Sequence, residues 1–249
     1  MRARLLAIQH EEDCPPAWLG DWLAAAGVDV GVVRGDAGDK VPDVIDGFDG
    51  LLVLGGEMGA YDDDRCPWLV PTKRLIARTV ASGAPFLGVC LGHQLAAVAL
   101  GGTVGRNPRG TATGLTPVEV TEAGRADRLF GSVASGDRAV QWNEDIVTRL
   151  PPQSTALAKA PDRSVQAARF ADLAWGVQFH PEASPEVFAS WTVNGPKAAE
   201  PRPDGIDMSV VAADIRAARS QLRQAWRPLA ERFAEIVIQA MSPRRIPAP

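Results

Sequence analysis

Three cysteines and three histidines carry most of the nucleophilic and acid–base chemistry open to this chain: Cys14, Cys66, Cys90, His10, His93 and His180. Only Cys90 sits in a patterned setting. Gly88-Val89-Cys90-Leu91-Gly92-His93-Gln94 puts a thiol between two glycines, where an apolar run from Pro85 to Val89 gives way to a helical pattern from Leu91 to Leu100. At such an elbow the nucleophile rides on tight backbone, and the glycines remove the Cβ atoms that would collide where strand and helix approach. The helix N-terminus adds partial positive charge and free N–H groups. Both favour the thiolate over a thiol whose ordinary pKa is about 8.5. Cys14 and Cys66 lie in polar or Pro-flanked loops without an elbow and read as small apolar residues.

A thiol nucleophile needs a base. His93 follows Cys90 by three residues on the same helix, so its ring runs along that helix face rather than over the turn, which suggests packing. His10 follows the first strand with nothing near it in sequence to orient it. His180 differs, because Gln178-Phe179-His180-Pro181-Glu182 closes an apolar run. Pro181 favours extended backbone at His180, and residues i and i+2 of extended chain project to one side. Glu182 can therefore hold one imidazole nitrogen while the other meets the thiol. Cys90, His180 and Glu182 are expected as nucleophile, base and orienter.

The elements that must position them alternate. Arg4 to Gln9, Asp29 to Val33, Gly50 to Leu54 and Pro85 to Val89 read as strands, separated by helices at Pro16 to Ala26 and Trp68 to Ser82 and followed by the Leu91 helix. This alternation predicts an α/β fold with a doubly wound, mostly parallel sheet, whose ligands bind at the carboxyl ends of the strands. Beyond residue 103 strands dominate: Leu115 to Thr121, Arg138 to Trp142, Thr155 to Lys159, and a hairpin of Val165 to Phe170 with Ala174 to Phe179. We expect one domain: a core over 1–193, a linker over 194–208 rich in Pro and Gly, and a long helix over 209–241 kinked at Pro228. Val211, Ile215, Ala218, Leu222, Trp226, Leu229, Phe233 and Ile236 form its apolar stripe, expected to dock on the core. Arg216, Arg219, Arg223 and Arg227 read as a solvated face.

Composition narrows the partners. The 249 residues hold 26 Lys and Arg against 30 Asp and Glu, a net charge of −4, which gives no basic surface for nucleic acid or anionic membranes. No apolar run reaches a membrane span and the N-terminus lacks a signal-peptide core, so a cytoplasmic location is expected. Three cysteines without Cys-x-x-Cys exclude a disulfide framework and zinc-finger spacing. The run Asp62-Asp63-Asp64 reads as turn and cap residues rather than a metal site. Arg106 to Gly110 reads as a basic loop.

The elbow, His180-Pro181-Glu182 and the Gly55-Gly56 loop after the Gly50 strand together resemble the class I, or triad, glutamine amidotransferases over residues 50 to 192. Gly55 to Asp64 is similar to free-standing proteins related to the glutaminase domain of GMP synthetase. The resemblance implies a flavodoxin-like fold with Cys90 attacking the γ-amide of glutamine to form a thioester. It implies an oxyanion hole from the N–H groups of Gly56 and Leu91, substrate contacts from Gln94 and Gly55, and neither cofactor nor metal. Each oxyanion donor is typically worth about 3–4 kcal/mol. One departure stands out: Asn143 replaces the histidine that relatives usually carry after the aromatic residue, which touches substrate or acceptor specificity. The expected activity is glutamine hydrolysis to glutamate and ammonia, the possible ammonia acceptor being a separate synthetase subunit. The alternatives are a self-sufficient hydrolase of γ-glutamyl peptides or amines, and a non-catalytic regulatory protein of the same fold.

Overall fold

Apolar runs bounded by Gly, Asp and Pro become the buried strands. The computed structural model describes residues 1–194 and 205–241. Its first half runs β1 (Ala3–Gln9), α1 (Ala17–Ala25), β2 (Val28–Arg34), β3 (Gly50–Val53), α2 (Leu69–Ala81), β4 (Phe86–Val89) and α3 (Leu91–Ala99). Then come β5 (Thr103–Arg106), β6 (Ala112–Pro117), β7 (Glu119–Val120), α4 (Glu122–Arg125), β8 (Arg138–Asn143) and β9 (Asp145–Arg149). The chain closes with β10 (Thr155–Lys159), β11 (Val165–Ala171), β12 (Ala174–Val177), α5 (Pro185–Asn194), α6 (Met208–Ala217) and α7 (Arg219–Met241).

The main sheet has eight strands in the order β2-β1-β3-β4-β12-β11-β10-β7. The five strands from β2 to β12 are parallel to one another, and the other three add on antiparallel, starting with the expected β11–β12 hairpin. It is a doubly wound sheet because β1 is apolar on both sides. Leu5 and Ala7 join a core with Trp18, Leu23 and Phe233, while Leu6 and Ile8 join another with Leu69, Ile76 and Leu95. The register aligns the strand ends that matter: Val53 lies opposite Gly88, and Val89 opposite Val177. Gly55, Cys90 and the segment leading to His180 therefore leave the sheet side by side at its carboxyl edge.

Several expectations need correction. The run from Leu115 to Thr121 is two strands. Pro117 ends β6, which pairs with β8 outside the main sheet, while β7 pairs with β10 within it. The β5–β9 ribbon is missing from the sequence reading, as strands so short and mixed in polarity carry no clear period. The expected linker falls largely on 195–204, outside the described residues. The single C-terminal helix is two. Ala218 departs from helical geometry at φ −84° and ψ 2°, with α6 packed on β6 and α7 on α1 and the sheet. Pro228 sits within α7 without ending it.

The apolar stripe docks inward as expected. Ile215, Leu222, Trp226, Leu229, Phe233 and Ile236 are buried in the core that also holds Trp18 and Leu23. Each such side chain contributes about 1.5–3 kcal/mol by leaving water. Trp226 matters beyond its area, because its ring lies 4.3 Å from that of Phe179 and its Nε1 donates to the Arg138 carbonyl at 3.0 Å. Phe179 is the residue before His180, so α7 braces the chain that carries the imidazole. No described helix is long and apolar enough to cross a membrane.

Candidate active site

Cys90 caps the N-terminus of α3 with φ 50° and ψ −105°, a conformation costly for any side chain other than glycine's absent one. The flanking glycines explain how the elbow closes. A Cβ on Gly92 would stand 2.0 Å from the Val53 carbonyl oxygen, and one on Gly88 would stand 2.5 Å from the Gly92 oxygen. The thiol is thus held at the sheet edge, buried, on a backbone the surrounding structure over-determines. Leu91, the first residue of α3, has no intrahelical acceptor for its N–H.

His180 and Glu182 meet this thiol. His180 Nδ1 lies 2.7 Å from Glu182 Oε1, and both side chains are almost fully buried. The imidazole stands past the end of β12, three residues beyond Val177, and not on the strand itself; its backbone N–H donates to the Val140 carbonyl at 2.9 Å. Gly55 lies against both side chains. A Cβ there would be 3.1 Å from His180 Cε1 and 3.6 Å from Cys90 Cβ. Burial opposes the charged imidazole, but the negative charges of Cys90 and Glu182 outweigh it and hold His180 up to about 10. His180 is therefore held as the imidazolium beside the Cys90 sulfur. Among the described residues His180 Nε2 has no partner within hydrogen-bond geometry, and Cys90 is the neighbour that acts on it.

The other two histidines are buried and held neutral. His93 is fully buried against Phe170, with ring centroids 5.4 Å apart, and burial pulls it down to about 3. His10 is also fully buried, and burial lowers it to about 4 despite the nearby negative charge of Asp36. Contrary to the sequence reading it is oriented: Trp68 Nε1 donates to His10 Nδ1 at 3.1 Å.

A cleft of about 1170 Å³ opens on these residues, lined among others by Cys90, His180, Gly56, Gln94, Trp142 and Asn143. Gln94 Nε2 donates to the Asp145 carbonyl at 2.9 Å and to Gln178 Oε1 at 3.3 Å. Gln178, to which the sequence reading gave no role, donates in turn from Nε2 to Cys90 Sγ at 3.6 Å. Its i, i+2 relation to His180 is the signal that could have revealed it. Asn143 Nδ2 donates to the Asp145 carbonyl at 3.0 Å, and its buried Oδ1 has no donor among the described residues.

The acidic segment 11–14 also reaches the cleft, which nothing in its spacing revealed. Glu11, Asp13 and Cys14 bring ligand atoms within 4.8 Å of one another. Glu11 Oε2 accepts from the Glu57 N–H at 3.2 Å and from Cys14 Sγ at 3.6 Å. Burial and then Glu11 push the Cys14 thiol well above its ordinary value, so Cys14 stays a thiol near Cys90. The Asp62 run behaves as turn residues. Asp62 Oδ2 accepts from the Gly59 N–H at 3.0 Å, and Asp63 pairs with Lys73 at 2.7 Å. Arg106 lies on β5 and not in a loop, pairing with Glu144 and, at 3.6 Å, with Asp145.

Comparison with known proteins places this geometry. The model of the glutamine amidotransferase class-I family matches residues 17–194. Gamma-glutamyl peptidase 5 of Arabidopsis thaliana is 32% identical over 145 residues, covering 57% of each chain. A glutamine-hydrolysing GMP synthase subunit from Pyrococcus abyssi is 37% identical over 101 residues, 40% of this chain and 52% of that one. This chain thus spans little more than half the length of either relative. A crystal structure of a glutamine amidotransferase from Thermotoga maritima superposes with a TM-score of 0.83 at 26% identity, covering 94% of this chain and 99% of that one. With the elbow, the sheet order and the family match in agreement, the chain belongs to the class I glutamine amidotransferase family.

Proposed function

We propose that the protein is a cysteine amidohydrolase that cleaves the γ-amide bond of a γ-glutamyl compound. The observation that carries this reading is the buried Cys90, His180 and Glu182 constellation opening on one cleft. Cys90 Sγ attacks the γ-carbonyl carbon, and the resulting oxyanion is held by the backbone N–H groups of Gly56 and Leu91. His180, kept charged by its neighbours, passes its proton to the departing nitrogen as the C–N bond breaks. The neutral imidazole then takes a proton from water, which attacks the γ-glutamyl thioester and releases glutamate and the free thiol. Glu182 keeps the ring aligned and favours its charged form in both halves of the cycle. Gln178 steadies the sulfur, Gln94 lines the cleft that the glutamyl group fills, and Gly55 leaves room beside Cys90 and His180 for its amide.

The cleft is larger than the roughly 300–1,000 Å³ of most small-ligand sites, leaving room for a leaving group beyond ammonia. That favours γ-glutamyl conjugates over glutamine. The second reading, supported by the relative named as part of a GMP synthase, is ammonia supply from glutamine to a partner synthetase. The test is glutamate release by the purified protein from glutamine and from γ-glutamyl amines and peptides, with Cys90→Ala as blank. We expect Cys90-dependent release from conjugates without a partner. Release unaffected by Cys90→Ala overturns the mechanism, and release from glutamine alone favours the second reading.

A further inference from the structure

Holding an oxyanion needs the Gly56 N–H aimed at one point, yet Gly56 lies past the end of β3, outside any strand or helix. A glycine has no side chain to fix its own backbone. Packing does part of this work. A Cβ on Gly56 would stand 3.0 Å from His10 Cβ and 3.2 Å from Leu91 Cδ2, so the residue is pressed between the exit of β1 and the first turn of α3. The rotation of its peptide is set from the next residue. The Glu57 N–H donates to Glu11 Oε2 at 3.2 Å. Because the Gly56–Glu57 peptide is planar, fixing that N–H also fixes the Gly56 carbonyl and leaves Gly56 little freedom in ψ.

Glu11 is anchored in turn. Its carbonyl accepts from Gln9 Nε2 at 2.6 Å and from the Cys14 N–H at 3.2 Å, and Cys14 Sγ reaches the same carboxylate oxygen at 3.6 Å. Two residues on, the Asp13 carbonyl accepts from Trp191 Nε1 at 2.8 Å, and the Trp191 ring lies 4.7 Å from that of His180. The loop over 10–14 thus fastens the Gly56 side of the cleft to the imidazole side. Burial and then the charge of Glu57 push the Glu11 carboxyl up to about 7, while the Glu57 N–H and Cys14 pull it back, so those two hydrogen bonds favour a carboxylate in this place. We propose that Glu11 is a positioning residue for the oxyanion hole, its carboxylate clamping the Gly56–Glu57 peptide so that the Gly56 N–H faces the γ-carbonyl oxygen. Glu11 has this role only within the cysteine amidohydrolase reading above, with Gly56 as a donor. The carbonyl oxygen gains charge as the tetrahedral intermediate forms, so a misaimed donor costs turnover more than binding.

The test compares Glu11→Ala and Glu11→Gln with the wild type on γ-glutamyl-p-nitroanilide and on glutamine, with Cys90→Ala as blank. Alanine removes the acceptor, whereas glutamine keeps an oxygen at the same reach without the charge. Glu11→Ala should lower kcat roughly ten- to a hundredfold, less than the loss of about 10²–10³ when an oxyanion donor is deleted outright. KM should stay within about threefold of the wild type. Glu11→Gln should recover most of the loss in kcat. Alkylation of Cys90 by iodoacetamide, read by mass on its own peptide, needs the sulfur but no oxyanion, and should stay within about twofold in both variants. A kcat for Glu11→Ala within about threefold of the wild type, or a loss carried by KM alone, overturns the role of Glu11 and leaves the hydrolase reading standing. A glutamine variant as slow as the alanine one does the same, since the acceptor would not be what matters. Alkylation that falls as far as kcat also overturns it, because the thiol and not the oxyanion loop would be disturbed. No Cys90-dependent release by the wild type from either substrate overturns the hydrolase reading, and the role of Glu11 with it.

Discussion

The two histidines nearest the elbow are driven in opposite directions, and His93 allows the magnitude to be worked out. Burial without a charge partner lowers it from 6.5 to about 3. The sign follows from which state takes up the proton. Between pH 6.5 and about 3 the unfolded chain is protonated at this position and the folded one is not, so stability present above pH 6.5 is lost as pH falls. From about pH 7.5 to about 5.0 the loss from this one residue is about 2 kcal/mol. Other groups titrate over the same range, Glu11 and His180 with the opposite sign, so the wild-type profile alone does not isolate it. His93→Phe removes the proton site and keeps a ring beside Phe170 and Gly176. Urea unfolding of both proteins at those two pH values gives two stability differences. The variant should gain about 2 kcal/mol on the wild type between them, whatever its baseline cost. A difference that stays constant to within about 0.5 kcal/mol would mean that His93 is charged or solvated in the folded protein, and burial would no longer separate it from His180.

Two further outcomes probe the support of the imidazole. Glu182→Gln keeps the side-chain shape but removes the charge 2.7 Å from His180 Nδ1, so kcat should drop by about two orders of magnitude or more with little change in KM. The pH at which His180 gives up its proton, followed by NMR, should fall from about 10 in the same variant, because His180 loses a neighbour that favours its charged form; an unchanged titration would leave Glu182 as mere packing. Trp226→Ala deletes a buried ring against Phe179 and a hydrogen bond to Arg138, and should cost about 3–5 kcal/mol in urea unfolding. A cost under about 1 kcal/mol would show that α7 does not brace the segment leading to His180.

The elbow was legible because its demands are local. Gly88 and Gly92 answer backbone collisions within a few residues or with the adjacent strand, and such collisions exclude every residue with a Cβ. The pairing of His180 with Glu182 was legible in their spacing, but not for the reason of extended chain: the segment lies past the end of β12 and a turn at Pro181 and Glu182 brings Glu182 Oε1 to His180 Nδ1. Gln178 shared that spacing and went unread because an amide carries no charge to advertise a role. His10 was misjudged for a different reason: its partner Trp68 is 58 residues away, beyond any pattern that neighbours in sequence can show.

What the amino-acid sequence by itself determined is the set of short apolar runs and helices, the tight turn at Cys90 and the inward-facing stripe of the C-terminal residues. Each follows from steric limits and burial periods that operate over a few residues. What only the tertiary structure decided is the pairing of Val89 with Val177, which carries Cys90 and His180 to one edge. It also decided the arrival of the acidic segment 11–14 in the cleft, fastened where Trp191 Nε1 donates to the Asp13 carbonyl across 178 residues. It decided the division of the last helix at Ala218 as well, since α6 and α7 bury against different elements. These features depend on which surfaces meet once the sheet has formed, and contacts between distant residues leave no period in the chain.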